Sequence, residues 1–240
     1  MRAALHPCYI LHQRPYRETS LILEILSREY GKLALVAKGV KKGRRNQRAL
    51  MQPNQKLNLA WVARGEMGTL TDIEAIGTNL NLKGSNLLAA YYINELLLRL
   101  LHSHEPHCEL FDAYDSALRK LSAGTNEQPI LRVFEKQLLE SLGYGLVLDH
   151  DVISGEPINS SSIYFYQLDS GPAASPESRD DKISISGTTL IALARNNIVE
   201  EQQLKEAKRL TRQVLKTHLG NRPLASRELF RKYLDSIKNI

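Results

Sequence analysis

Apolar and polar positions follow two different periods along this 240-residue chain, and the change falls near residue 80. Before it, apolar residues gather in short runs: Tyr9-Ile-Leu-His-Gln13, Leu21-Ile-Leu-Glu-Ile-Leu26, Lys32-Leu-Ala-Leu-Val-Ala37, Gln55-Lys-Leu-Asn-Leu-Ala-Trp-Val62 and Gly68-Thr-Leu-Thr-Asp-Ile-Glu-Ala-Ile76. Compact or alternating runs of this length predict strands. Arg28-Glu-Tyr-Gly31 separates the second from the third and predicts a hairpin turn, with Gly31 at positive φ. From residue 82 the period lengthens to about 3.6. It predicts helices over 82–101, 109–121 and 129–142, the last closed by a glycine cap at Leu142-Gly-Tyr-Gly145. Between Asp149 and Lys182 the chain turns polar and rich in Ser, Gly and Pro, with only Ile163-Tyr-Phe-Tyr-Gln167 reading as a strand. That stretch reads as an insertion or a small hairpin module. Helical periodicity returns over 188–195, 200–219 and 226–234.

Five short strands in the first 79 residues suit a small closed barrel, and the OB-fold is the commonest such barrel with a nucleic-acid surface. The expected class is α+β: an OB-fold barrel over 1–79, then a mainly helical domain over 80–240 carrying a polar insertion at about 149–185. A chain of this length buries a core without metal or disulfide staples. Its two cysteines, Cys8 and Cys108, encode neither a disulfide framework nor a four-ligand zinc site, which fits a reducing cytoplasmic setting. The N-terminus lacks the long apolar region of a secretion signal. The longest apolar stretch, 87–101, is shorter than the roughly 20 residues of a membrane span and holds Asn94, Glu95 and Arg99. It reads as a buried core helix.

Charge sharpens this picture. The first 79 residues carry 13 Lys/Arg against 6 Asp/Glu, while the remaining 161 carry 19 against 20. No acid occurs between Glu29 and Glu66, whereas nine bases do. Six of the nine, Lys38, Lys41, Lys42, Arg44, Arg45 and Arg48, fall in one eleven-residue window. A segregated cationic field beside a near-neutral body suggests one surface built for a polyanion, most often nucleic acid. Gly39 and Gly43 make this window a flexible loop between strands, able to track phosphates.

Aromatic residues add little. Tyr16, between Arg14 and Arg17, is the best stacking candidate and reads as lying in a loop, while Trp61 reads as core. Binding should therefore lean on phosphates, with strong salt dependence and little sequence preference. His102-Ser-His-Glu-Pro-His-Cys108 offers three imidazoles and a thiol, but its spacing matches no zinc arrangement and it reads as an interhelical loop. No nucleotide-binding loop, hydrolase elbow, zinc-protease motif or clear acid pair is present, so neither an enzyme nor a cofactor is expected. On the helix over 200–219, Lys205, Lys208, Arg209, Arg212 and Lys216 project to one side, opposite Leu204, Ala207, Thr211 and Val214. Such a stripe is a solvated face, a docking surface for an acidic peptide tail or a second nucleic-acid contact.

Over nearly its whole length the chain resembles the bacterial RecO family of DNA repair proteins, which are recombination mediators. The likeness is carried by Leu11-His-Gln-Arg-Pro-Tyr-Arg-Glu-Thr-Ser20, Leu35-Val-Ala-Lys-Gly39, Tyr92-Ile-Asn-Glu-Leu-Leu97, Leu142-Gly-Tyr-Gly145, Ser154-Gly-Glu-Pro157 and Leu219-Gly-Asn-Arg-Pro-Leu-Ala-Ser-Arg-Glu-Leu-Phe230. The resemblance implies an OB-fold that binds single- and double-stranded DNA. It also implies annealing of complementary strands, partnership with RecR, and help in loading RecA onto DNA coated by single-strand binding protein through that protein's acidic C-terminal tail. It further implies roles for Arg14, Arg17 and Lys38 at the DNA, and for Arg132, alone or with Lys205, Lys208, Arg209 and Arg212, at the tail. Many relatives carry a four-cysteine zinc module after the Leu-Gly-Tyr-Gly motif. Residues 149–185 here hold no cysteine and only His150, so a metal-free remnant held by packing is expected.

The expected function is thus a non-enzymatic, cytoplasmic and nucleoid-associated DNA-binding mediator. Three alternatives compete with it: an RNA-binding OB-fold protein, which the loop's physics alone does not exclude; a nuclease or other DNA enzyme, disfavoured because no clustered carboxylates accompany the basic region; and an adaptor that binds only acidic proteins.

Overall fold

The computed structural model describes residues 2–40, 49–63, 65–77, 80–176 and 182–238. Its contacts group into two units, one formed by 1–125 with 223–240 and the other by 126–222. The composition step at residue 79 marks where strands give way to helices. The packing follows apolar faces instead, so two helices after the step and the C-terminal helix share a unit with the barrel.

Five strands form the barrel of the first unit: β1 (Arg2–Tyr16), β2 (Ser20–Ser27), β3 (Gly31–Ala37), β4 (Lys56–Ala63) and β5 (Met67–Ala75). They close in the order β1-β2-β3-β5-β4, with β3 and β5 parallel and all other pairs antiparallel. This is the ordering of an OB-fold. The long β1 makes closure possible, pairing β4 along Arg2–Tyr9 and β2 along Cys8–Tyr16, with register shifts after Ala3 and after Ile10 that let it curl. Alternation then fills the inside with Cys8, Ile10, Leu23, Ile25, Leu33, Leu35, Leu57, Leu59 and Trp61. Trp61 is fully buried. Burial drives the Cys8 thiol up to about 12, so it stays protonated and behaves as a small apolar side chain.

Helices α1 (Gly84–Leu100) and α2 (Cys108–Ser122) cover one outer side of this barrel. Tyr9, on the face of β1 opposite Cys8 and Ile10, sets its ring 4.9 Å from that of Tyr114 and 5.6 Å from that of Phe111. Asn94 is buried in α1, donates to the Leu11 carbonyl at 3.0 Å and to Asn54 Oδ1 at 2.7 Å, and accepts from the Tyr114 hydroxyl at 2.6 Å. Of the polar residues that argue against a membrane span, Asn94 thus fixes the helix on the barrel. No helix among the described residues is long and apolar enough to cross a membrane. The histidine-containing segment between α1 and α2 packs along β3, where the His104 amide donates to the Lys32 carbonyl at 2.9 Å. Helix α6 (Ala225–Lys238) starts on α1, whose Glu95 carboxylate accepts from the amides of Ala225 and Ser226 at 2.9 and 2.8 Å.

Gly31 takes φ +68° at the β2–β3 turn, and a Cβ there would lie 2.0 Å from the Glu105 carbonyl oxygen. Gly31→Ala combines a left-handed alanine with a backbone clash, at an expected cost of about 2–4 kcal/mol. Gly39 has the same φ but open space around it. Gly39→Ala is therefore expected to lower the denaturation midpoint much less, and equal falls would contradict this packing.

The second unit builds on α3 (Glu127–Ser141), with the Asn126 side chain accepting from the Gln128 amide at its start. The chain leaves α3 through Gly143 at φ +82°, with the Tyr144 amide on the Leu139 carbonyl at 2.8 Å. The polar stretch holds more structure than its composition predicts: β6 (Ile163–Gln167) lies between β7 (Gly171–Ala173) and β8 (Ile183–Ser186). Asp151 organises its first turn by accepting from the amides of Ile153, Ser154 and Ala174 at 2.9, 3.1 and 2.7 Å. Helices α4 (Gly187–Ala194) and α5 (Glu201–Leu219) complete the unit.

Candidate nucleic-acid interface

Strand pairing decides what meets at the barrel end. Leu21 opposes Ala37 and Ile22 opposes Val36, so the β1–β2 turn lies beside the exit of β3. An open groove of about 650 Å³ forms there, lined by Tyr16, Arg17, Glu18, Thr19, Val36 and Lys38, among others. Arg14 and Tyr16 belong to the last residues of β1, and only Arg17 occupies the turn, at φ +50°. The loop expected over all four residues is therefore corrected. Pairing with Ile22 and Ser20 extends the strand despite Pro15. The Arg17 guanidinium stands 5.2 Å from the centre of the half-buried Tyr16 ring. Arg14 and Lys38 are exposed.

Lys38 opens the basic window. Lys41, Lys42, Arg44, Arg45 and Arg48 lie outside the described residues. On either side, Val40 and Met51 both insert into the barrel core. The chain thus leaves and re-enters the barrel with apolar anchors around this cationic stretch.

Lys32 and Lys56 of the acid-free region, and Arg28 just before it, have different employment. Lys56 Nζ lies 2.7 Å from Asp115 Oδ1, and Arg119 Nε lies 2.6 Å from Asp115 Oδ2. The Tyr9 hydroxyl donates to the same carboxylate at 2.6 Å. Lys32 Nζ donates to the Leu98 carbonyl at 2.8 Å, and Arg28 forks onto Asp112 at 3.1 and 2.9 Å. Lys32, Lys56 and Arg28 fasten the barrel to α1 and α2, so the surface offered to a polyanion is narrower than the charge count predicts.

Partial burial pushes the Asp115 carboxyl up, but hydrogen bonds from Arg119, Lys56 and Tyr9 prevail and hold it at about 2. Because this value lies below the ordinary carboxyl range, the bonds stabilise the fold fully above about pH 4, and their contribution is lost as pH falls towards 2. Thermal denaturation should show a weaker dependence on pH between 4 and 2 for Asp115→Asn than for the wild type. Parallel curves would refute this assignment.

In the second unit Arg132 is buried in α3, with Nη2 donating to Glu135 Oε1 at 2.8 Å and Nη1 to Thr211 Oγ1 at 3.3 Å. Its Nε is buried with no hydrogen-bond partner among the described residues. Lys208 is half-buried on α5, with Nζ on Gln128 Oε1 at 3.2 Å. Burial lowers the pKa of this ammonium, and the nearby charges of Arg212 and Arg132 lower it further. Arg132, Lys208 and Arg212 thus lie near one another, with the carboxylates of Glu135 and Glu127 beside them, and Arg132 is already paired with Glu135. Lys205 is turned to Glu201 at 2.6 Å, and Arg209 donates to the Ser184 carbonyl of β8. Of the apolar side of this helix, Ala207, Thr211 and Val214 are buried as expected, and Leu204 is half-buried. Among the described residues, no three His, Cys, Asp or Glu side chains converge as metal ligands.

Comparison with known proteins adds lineage to this geometry. The family model described as Recombination protein O N terminal matches residues 1–79, and that described as Recombination protein O C terminal matches residues 82–228. The chain is 45% identical to the DNA repair protein RecO of Nitrosococcus oceani over 229 residues, covering 95% of this chain and 93% of that protein. It is 42% identical to the protein of the same name from Methylococcus capsulatus over 230 residues, 96% and 94% of the two chains. With that of Vibrio parahaemolyticus it shares 44% over 223 residues, 93% and 91% of the two. An OB-fold barrel followed by helices, matched by the two family models over residues 1–79 and 82–228 and by these relatives over more than nine-tenths of the chain, shows that the chain belongs to the RecO family of DNA repair proteins.

Proposed function

We propose that this protein is a non-enzymatic recombination mediator that binds single- and double-stranded DNA, anneals complementary strands and helps load the recombinase RecA in DNA repair. The observation that carries the reading is the groove at the barrel end, where Tyr16, Arg17 and Lys38 meet at the mouth of the acid-free segment. Annealing needs no covalent chemistry. Cations reduce repulsion between two phosphate backbones, and base pairing supplies the free energy. The Tyr16 ring offers one stacking surface, while Arg14, Arg17, Lys38 and the bases of the 41–48 segment take phosphates.

Partner recognition belongs in this reading to the second unit. The acidic tail of single-strand binding protein suits the α5 side of this group, where a carboxylate would meet half-buried Lys208 and exposed Arg212 beside the Arg132–Glu135 pair. Lys205 and Arg209 flank it. RecR is the further partner implied by family membership. DNA and RNA strands of matched length and sequence, competed against each other for the protein, test the nucleic-acid assignment. Preference for DNA or equal binding with DNA annealing supports it. Preferred RNA binding without DNA annealing would replace it with an RNA-binding role.

A further inference from the structure

The net charge of the chain after residue 79 conceals a second acid-free stretch. Between Glu206 and Glu228 no Asp or Glu occurs, while Lys208, Arg209, Arg212, Lys216, Arg222 and Arg227 do. Most of it lies on α5. At 100° per residue, Lys205, Arg209, Arg212 and Lys216 fall within a band about 60° wide, and all four are exposed. From Lys205 to Lys216 the line runs for about 16 Å. One strand of DNA presents a phosphate about every 3.4 Å along a duplex axis, so about five phosphates span the same length as these four cations.

Two features keep this line cationic. Glu206, the one acid between Lys205 and Lys216, turns its carboxylate to Ser186, Thr189 and Gln202. Glu201 does pair with Lys205, but as an exposed contact it yields readily to a denser anion. Arg209 is steadied from the side by the Ser184 carbonyl. The line is distinct from the group of buried Arg132, its partner Glu135 and half-buried Lys208, sharing only Arg212 with it. A compact cluster suits one or two carboxylates, whereas an extended row at about one cation per helical turn suits a phosphate backbone.

We infer that the outward line of α5 is a second nucleic-acid contact, so that a single chain holds two strands at once, one on the barrel and one on the second unit. This rests on the DNA-binding reading and adds to it, since one cationic surface is enough for binding but annealing needs two strands held together.

The test uses full-length protein with two non-complementary 15-nucleotide DNA strands carrying different dyes, counted per chain by analytical ultracentrifugation. The wild type is expected to carry two strands. The triple variant K205Q/R209Q/K216Q is expected to carry one, with first-strand affinity within twofold of wild type, annealing of naked strands slowed at least tenfold, and a matching melting temperature. Should the triple variant melt early, K216Q alone repeats the test at a single exposed position, with weakened second-strand binding expected. Unchanged occupancy and annealing in the folded variant would overturn the inference while leaving the barrel site standing. Loss of acidic-peptide binding alone would overturn it in favour of a protein-docking face. A wild type that binds no strand would remove the DNA reading together with this inference.

Discussion

Changing Lys41, Lys42, Arg44 and Arg45 together to Ala is expected to weaken single-strand DNA binding by one to two orders of magnitude at moderate salt and to leave stability unaltered. The reasoning is electrostatic. Each cation that neutralises a phosphate releases condensed counterions, contributing about 0.7 to the slope of log affinity against log salt on a single strand. Four lost contacts should therefore flatten that slope by about 3. The slope is the more telling readout, because a misfolded protein loses affinity without a defined change in it. Binding measured by fluorescence anisotropy at four or five salt concentrations decides the matter. An unchanged slope would remove this segment from the DNA footprint and leave Arg14 and the groove at Tyr16, Arg17 and Lys38 as the whole of the barrel's contact.

The second large effect is on the barrel itself. Trp61 is fully buried, its ring edge-on to Tyr30 at 5.1 Å and tilted to His6 at 6.2 Å. Gly68 makes room for it, since a Cβ there would come within 3.1 Å of the indole and 2.6 Å of Leu35. Trp61→Ala should cost about 3–5 kcal/mol, combining lost burial with a cavity. Against a total stability of about 5–15 kcal/mol, that should lower the melting temperature by on the order of 10 °C. DNA binding should fall with the folded fraction, and its salt slope should persist for the molecules still folded. Tyr16→Ala is the instructive contrast. It should leave melting nearly unchanged while weakening strand binding by about 1–3 kcal/mol if one base stacks there. If Trp61→Ala melted like the wild type, the core described here would be misassigned.

Local chemistry made much of the fold legible. Compact apolar runs and, for β4, polar/apolar alternation placed four of the five barrel strands within a residue or two. β1 was underestimated. Its register shifts and the prolines at positions 7 and 15 break the alternation that would have marked its ends. β7 is three residues long and β8 four, too short to carry a period, and their pairing with β6 depends on contacts made across the chain. The glycine cap after α3 was readable because the residues that form it are adjacent in sequence.

The candidate site was legible only in part, and the reason is again range. Sequence showed where cations cluster but not which are committed elsewhere. Lys32 and Lys56 look identical to Lys38 until the Leu98 carbonyl and Asp115 come to meet them. Arg132 shows the same limit. Its spacing to Glu135 is visible, whereas Thr211, 79 residues away, completes its burial. Hydrogen-bond partners at that separation follow from tertiary packing, and no periodicity encodes them.

The central claim is that this protein couples DNA annealing to recognition of the protein that coats single strands. Its most direct test is the annealing rate of complementary oligonucleotides coated with cognate single-strand binding protein, comparing the intact coating protein with one lacking its acidic tail. Rapid annealing is expected on the intact coat, with a large fall without the tail. Annealing at equal rates on both coats would contradict it and leave a generic cationic condenser, and an absence of annealing on either would return the barrel to the RNA-binding and adaptor readings.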